Sequence, residues 1–326
     1  MKKKLFALLI IVLLLICYFI GNYFVNFALK RIDPNDINSS PPAADFIKDK
    51  TISVPDKPDA KNEIWQITSR DQLKLNATHF SPEIADNHNW AILVHGYGRD
   101  QRFAWDYAAE YLKRGYEVLT PDLRASGTSE GTYLSMGDRE SDDILFWIDK
   151  ILEVDPQARI VLHGVSMGAA TVMIAAAKSQ SPHLVAVIED CGYTSAYNMF
   201  TDQLKKIFGL PEFPIMTIVD FVSKFKTGTA VTEAAPILFV SDINVPALFI
   251  HGTGDKLVPF YMMQQLYDHC KTPVKEFITF EDVGHASSMT SNPDVYFNRI
   301  FSFLKKYVND KDIIEKENQQ GNKIDE

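Results

Sequence analysis

The stretch that most constrains this chain is Gly164-Val165-Ser166-Met167-Gly168. A strand-like run, Arg159-Ile160-Val161-Leu162-His163, leads into it, and a helix-like run from Ala169 to Lys178 leaves it. A serine alcohol becomes a useful nucleophile when a sharp strand-to-helix turn lifts it clear of the backbone, and only small flanking residues tolerate that close approach. Gly164 and Gly168 supply the room. The same spacing recurs at Gly127-Thr128-Ser129-Glu130-Gly131, but this copy follows Leu119-Thr120-Pro121-Asp122 and runs into Thr132 and Tyr133 without helical apolar periodicity. It reads as a loop, so Ser166 is the expected nucleophile and Ser129 the rejected rival.

A serine on such a turn calls for an acid and then a histidine further along the chain. Val245-Pro246-Ala247-Leu248-Phe249-Ile250-His251 has the pattern of a buried strand, and Gly252-Thr253-Gly254-Asp255 follows at its carboxyl end. His285 lies in Val283-Gly284-His285-Ala286-Ser287, just after the strand-like Lys275 to Phe280. Taken alone, Asp255 reads equally well as the cap of a helix beginning near Pro259, and His285 as a surface histidine. Their order and their places after strands favour the pair as orienting carboxylate and proton-shuttling base. Asp190, at the end of the strand-like Leu184 to Ile188, is the rival acid. For the developing oxyanion, the amide of Met167 is one expected donor. The amide of Tyr97, in His95-Gly96-Tyr97-Gly98 after the buried run Ala91 to Val94, is the other.

These motifs in series, together with Asp122-Leu123-Arg124-Ala125-Ser126-Gly127 and His251-Gly252-Thr253-Gly254-Asp255-Lys256-Leu257-Val258-Pro259, resemble the α/β-hydrolase fold serine hydrolases over roughly Glu63 to Tyr307. Glu189-Asp190-Cys191-Gly192-Tyr193-Thr194-Ser195 is further similar to the membrane-anchored bacterial branch of that family, described loosely as esterases or lysophospholipase-like proteins. Ala125-Ser126 departs from the Gly-His that many relatives carry there.

Periodicity agrees with that resemblance. Strand-like runs near Ile64, Leu75, Ile92, Val118, Ile160, Val187, Phe249 and Phe277 alternate with helical stretches, which predicts an α/β domain over 63–308. Its expected architecture is a mostly parallel eight-stranded sheet with helices on both faces. The segment 196–242 is too long for one crossover helix. Met199, Leu204, Ile207 and Phe208 form one apolar stripe and Ile215, Ile218, Val219, Val222 and Phe225 another, so two amphipathic helices are expected there. They serve either as cover for the core or as a lid over Ser166, with Phe208 and Phe225 as candidate substrate-binding residues.

At the amino terminus, Lys2-Lys3-Lys4 precede an uncharged apolar stretch from Leu5 to Leu29, and Lys30-Arg31 close it. This is long enough to span a hydrocarbon core of roughly 30 Å. A cleaved signal peptide would have an apolar region of about 7 to 15 residues and a small-residue cleavage site, which is not found here. Residues 1–31 therefore read as an uncleaved single-pass cell-membrane anchor, and the triple lysine favours an extracytoplasmic domain. Residues 32–62 read as a flexible tether and 309–326 as a polar, disordered tail. Cys17, Cys191 and Cys270 give no disulfide framework. No spacing suggests a metal site or a cofactor, and a net charge of −9 argues against nucleic acid. The expected partners are a small-molecule or lipid ester and the membrane. Three functions fit: a carboxylic-ester hydrolase, a peptidase or amidase with the same residues, and a non-catalytic surface binding protein.

Overall fold

Runs of β-branched and aliphatic residues line up as one eight-stranded sheet in a computed structural model that describes residues 2–31, 54–84 and 88–309. Residues 32–53 of the expected tether over 32–62, and 310–326 of the expected tail over 309–326, lie outside the described residues; the first strand begins at Lys61, inside the expected tether. The strands are β1 (Lys61–Thr68), β2 (Lys74–Ser81), β3 (Asn89–Val94), β4 (Glu117–Pro121), β5 (Arg159–Val165), β6 (Leu184–Asp190), β7 (Ala247–Gly252) and β8 (Lys275–Phe280). Their order across the sheet is β1-β2-β4-β3-β5-β6-β7-β8. β2 pairs antiparallel with both β1 and β4, and every pairing from β4 to β8 is parallel.

The central strands are apolar on both sides because helices cover both faces. Ile92, Leu119, Ile160 and Leu162 pack with Trp147 of α3 (Asp138–Val154) and Met173 of α4 (Met167–Lys178). Their neighbours in sequence, Ala91, Leu93, Val118 and Val161, turn to the opposite face. There they meet Tyr107 and Tyr111 of α2 (Trp105–Leu112) and Tyr296 and Ile300 of the carboxyl-terminal helix Pro293–Leu304. This period-two sorting fixes register, since a one-residue slip would exchange the two faces. It also places the loops after β3, β5, β6, β7 and β8 together at the carboxyl edge of the sheet, where open α/β sheets assemble ligand sites.

The segment between β6 and β7 carries two helices, α5 (Ala196–Phe208) and α6 (Ile215–Thr227). The Ser195 side chain caps α5 by accepting from the Asn198 amide at 3.1 Å, and left-handed Gly209 and Gly228 end α5 and α6. Met199 and Leu204 of α5 and Met216, Val219 and Val222 of α6 are buried.

The helix α1 (Lys2–Leu29) includes an 18-residue window of mean hydropathy 2.8, of which 6 % is buried, and is long and apolar enough to cross a membrane. Its last turns are not separate from the domain. Val25 and Leu29 are 0 % and 2 % exposed and belong to the same core cluster as β3 and β5. Close approach explains the contact: a Cβ on Gly21 would lie 2.5 Å from Cγ2 of Val222, so only a residue without a side chain lets α6 seat against α1 there. Beyond it, Lys226 Nζ donates to Asn22 Oδ1 at 2.6 Å and to Asn26 Oδ1 at 2.7 Å, and the Tyr133 hydroxyl donates to Asn26 Oδ1 at 2.8 Å. Arg31 closes the junction by donating to the carbonyls of Ser129 and Gly127.

Candidate active site

Ser166 stands between β5 and α4 with φ 58° and ψ −117°, a left-handed conformation that costs a side-chain-bearing residue about 1–3 kcal/mol. Packing holds it there. A Cβ on Gly164 would lie 2.2 Å from the Gly168 carbonyl oxygen, and one on Gly168 would lie 2.1 Å from that of Val94. Strand, turn and helix are thus pressed together at the two glycines, and the Ser166 amide donates to the Asp190 carbonyl at 2.8 Å.

His285 Nε2 lies 2.8 Å from Ser166 Oγ, and its Nδ1 lies 2.7 Å from Asp255 Oδ2. The other oxygen, Asp255 Oδ1, accepts from the amides of Leu257 and Val258 at 2.8 and 2.9 Å. A carboxylate that caps the turn after β7 in this way cannot rotate freely, so Oδ2 is held toward the imidazole. Burial disfavours its charge, yet hydrogen bonds from His251 and His285, the charge of His285 and the Val258 amide outweigh that and hold the carboxyl well below the usual range. Asp255 is therefore an anion that favours a proton on Nδ1 of His285 and leaves Nε2 free to accept from the serine.

The rivals have other partners. Ser129 is buried, donates to the Asp122 carbonyl at 2.7 Å and accepts from the Asn76 amide at 2.9 Å. Asp190 accepts from the Tyr296 hydroxyl at 2.9 Å, and burial raises its carboxyl to about 6. Cys191 and Cys270 are both free and buried. Cys191 Sγ lies with atoms of Asp255 and His285 within 4.8 Å of one another, but those two side chains already bond each other. Burial keeps the Cys191 thiol protonated.

Around the expected oxyanion position, the Met167 amide opens α4, where first-turn N–H groups have no intrahelical partner. The loop after β3 comes close as well: a Cβ on Gly96 would lie 3.3 Å from Ser166 Cβ. His95 pins that loop, since its Nδ1 donates to the Gly96 carbonyl at 2.8 Å and its Nε2 accepts from the Leu123 amide at 3.1 Å. Burial lowers the affinity of His95 for a second proton. The phenol of Tyr97 donates to the Ala28 carbonyl at 2.6 Å.

Phe208 packs edge-on against Phe24 and Phe27 of α1, with ring centroids 5.2 Å apart in each case. Phe225 is 80 % exposed. Sequence reasoning missed His251, which is fully buried with Nε2 2.9 Å from the Val258 carbonyl and 3.4 Å from Asp255 Oδ2. It also missed the part played by α1. A polar residue ending a buried strand was the available signal for the first; an apolar helix carries no signal of what it packs against.

Comparison with known proteins agrees with this fold. The chain is 29% identical over 231 residues to the uncharacterized protein YqkD of Bacillus subtilis, covering 71% of this chain and 75% of that protein. It is 22% identical over 253 residues to the uncharacterized membrane protein YNL320W of Saccharomyces cerevisiae, covering 78% and 83%. Among solved structures, the Pyrococcus furiosus esterase Pf2001 superposes with a TM-score of 0.61 at 24% identity, covering 76% of this chain and 93% of that one. The Pyrococcus horikoshii acylaminoacyl peptidase does so with a TM-score of 0.58 at 19% identity, covering 81% and 43%. The sequence profile of the alpha/beta hydrolase family matches residues 91–299, the span that carries Ser166, Asp255 and His285, and the chain belongs to that family.

Proposed function

We propose that this protein is a membrane-anchored serine hydrolase that cleaves carboxylic esters through an acyl-enzyme on Ser166. The observation that carries the reading is the continuous hydrogen-bonded chain from Ser166 Oγ through His285 to Asp255, at 2.8 and 2.7 Å. His285 Nε2 takes the hydroxyl proton as Oγ bonds to the ester carbonyl carbon, and the amides of Met167 and Tyr97 receive the oxyanion. The carbon–oxygen bond to the alcohol then breaks, and the alcohol leaves with the proton from His285. Water, deprotonated by the same imidazole, attacks the acyl carbon; the bond to Oγ then breaks, His285 returns the proton to Ser166 Oγ, and the acid leaves.

An ester with an apolar acyl part is favoured by the end of α1, where Phe24, Phe27 and Phe208 form an aromatic cluster and the Ala28 carbonyl, one turn beyond Phe24, receives the hydroxyl of Tyr97 from the loop beside Ser166. Helices α5 and α6 are the proposed lid. Residues Leu5 to about Phe24 are the proposed span, and the amino terminus is inside: Arg31 is bound to domain carbonyls, while Lys2, Lys3 and Lys4 are exposed. A peptidase is the second reading, on the fold shared with the Pyrococcus horikoshii peptidase. Full-length protein in vesicles, given p-nitrophenyl esters of increasing acyl length beside aminoacyl p-nitroanilides, separates the two. Ester turnover that vanishes in Ser166→Ala supports the first reading; anilide turnover alone supports the second, and none on either class refutes hydrolysis of both.

A further inference from the structure

The placement of α1 leaves little distance between the bilayer and the serine. From Lys4 to Gly21 the helix rises about 25 Å, and a hydrocarbon core needs roughly 30 Å. An apolar span beginning after the lysines therefore continues to about Phe24. Yet α6 already packs on the helix at Gly21, and Phe208 of α5 already touches Phe24. The outer membrane surface must cut through the level at which α5 and α6 meet α1. Ala28, whose carbonyl receives the Tyr97 hydroxyl, stands one helical turn above Phe24, and Tyr97 follows the glycine that lies against Ser166.

The exposed side chains of α6 match that level. Gly21 neighbours Ile218 and Val222, while Asn22 and Asn26 reach Lys226, so α6 runs in the same direction as α1 and its first residues point toward the bilayer. Phe221 and Phe225, one turn apart and flanking the stripe that meets α1, are 75 % and 80 % exposed, and Phe213 just before α6 is 76 % exposed. Large apolar side chains gathered beside an apolar helix mark a surface that is not meant for water. Lys205, Lys206 and Lys256 are exposed, and Lys206 Nζ donates to the Lys256 carbonyl at 3.2 Å, giving a basic edge suited to headgroup phosphates.

We propose that α6 enters the outer leaflet beside α1 with its first turns, and that Ser166 acts on acyl esters of lipids still seated in that bilayer. This deepens the ester-hydrolase reading and rests on it for the chemistry, though not for the docking. The acyl chain stays in the membrane beside α1, and the ester group rises one turn of helix to the serine.

Docking and catalysis are tested separately in the full chain, with Cys17→Ser as background and reconstituted in phosphatidylcholine–phosphatidylglycerol vesicles. Bimane attached at Phe221→Cys or Phe225→Cys is expected to be quenched by nitroxide-labelled phospholipid and shielded from iodide. The same probe at Val154→Cys, on an exposed part of α3, behaves oppositely. Iodide quenching at 221 and 225 equal to that at 154 overturns the docking, and shielding that depends on protein density in the vesicle assigns the face to a second copy instead. For catalysis, Phe221→Asp is expected to lower turnover of a vesicle-embedded long-chain ester about tenfold, with turnover of a soluble acetate ester unchanged. Equal loss on both esters, or on neither, overturns delivery from the bilayer. A wild type that is lipid-quenched at 221 and inactive on every ester upholds the docking and refutes the ester-hydrolase reading.

Discussion

The hydroxyl of Tyr97 donates a 2.6 Å hydrogen bond to the carbonyl of Ala28, joining the loop beside Ser166 to the last turn of an apolar amino-terminal helix. Two segments about seventy residues apart in sequence are thus tied together at the loop that approaches Ser166. Each of the following expectations tests one part of that arrangement.

Ser166→Ala is expected to abolish labelling by a fluorophosphonate probe, because only the activated alcohol attacks phosphorus quickly. Ser129→Ala keeps the label and loses stability by about 1–3 kcal/mol, since its hydroxyl satisfies the Asn76 amide and the Asp122 carbonyl in a buried loop. Gel fluorescence and thermal melting read the two effects. A labelled Ser166→Ala protein would remove the nucleophile.

Asp255→Asn is expected to fold and to lose on the order of 10⁴ in kcat, because an amide nitrogen facing Nδ1 favours the wrong imidazole tautomer. Asp190→Asn retains turnover to within about tenfold, since its partner is Tyr296 rather than His285. Steady-state kinetics on one soluble ester distinguish the acids.

Backbone strain at Ser166 predicts an inactive variant that is more stable than another inactive variant. Ser166→Gly relieves the left-handed φ of 58° and is expected to melt higher than Ser166→Ala by the equivalent of about 1 kcal/mol or more. Gly168→Ala should fail to fold, because its Cβ would meet the Val94 carbonyl at 2.1 Å. A soluble, active Gly168→Ala protein would contradict the packing at the turn.

Removing Met1 to Arg31 is expected to destabilise the domain and lower activity even on small esters. It takes Val25 and Leu29 out of the core, each contributing about 1.5–3 kcal/mol, along with the Arg31 and Ala28 contacts. A shorter deletion, of Lys2 to Tyr18, leaves those contacts in place and is expected to melt like the full chain in detergent. Equal melting temperatures for the two truncations would show that the docked turns contribute nothing.

Glu189 predicts a pH effect on stability. Burial, with a smaller contribution from Asp190, raises its carboxyl to about 8 against the opposing His251 charge and Gly192 amide, from an ordinary value of 4.5. Between those values the folded chain holds a proton that the unfolded chain has lost, so stability falls as pH rises through the window, by up to about 1.4 kcal/mol per pH unit. Glu189→Gln is expected to flatten that slope in denaturant titrations at several pH values. An unchanged slope would place the proton elsewhere.

Much of the site was legible because its parts are local. The turn around Ser166 is set by two glycines within five residues, Asp255 sits just past an apolar run that reads as a buried strand, and His285 just past the alternating edge strand β8. The contacts of Asp255 with the Leu257 and Val258 amides are local too: they brace the turn before the helix Phe260–His269, whose own cap is Pro259 and not Asp255. Apolar periodicity likewise marked α5 and α6, because a stripe that must leave water shows in the spacing of its side chains whatever it packs against.

What that stripe packs against was settled by the tertiary structure alone. Gly21 reads as one more small residue in an apolar run until Val222 is found beside it, and the spacing that marks Phe208 as apolar does not name Phe24 and Phe27 as its neighbours. Burial of apolar surface is non-directional: it tells a helix to find a partner without naming one. The identity of the partner comes from shape, close approach and hydrogen bonds between residues far apart in the chain. The amino-acid sequence by itself therefore determined the fold class and the three candidate residues. Only the folded chain decided that the apolar helix ends inside the domain, its last turn hydrogen-bonded to the loop that faces the serine.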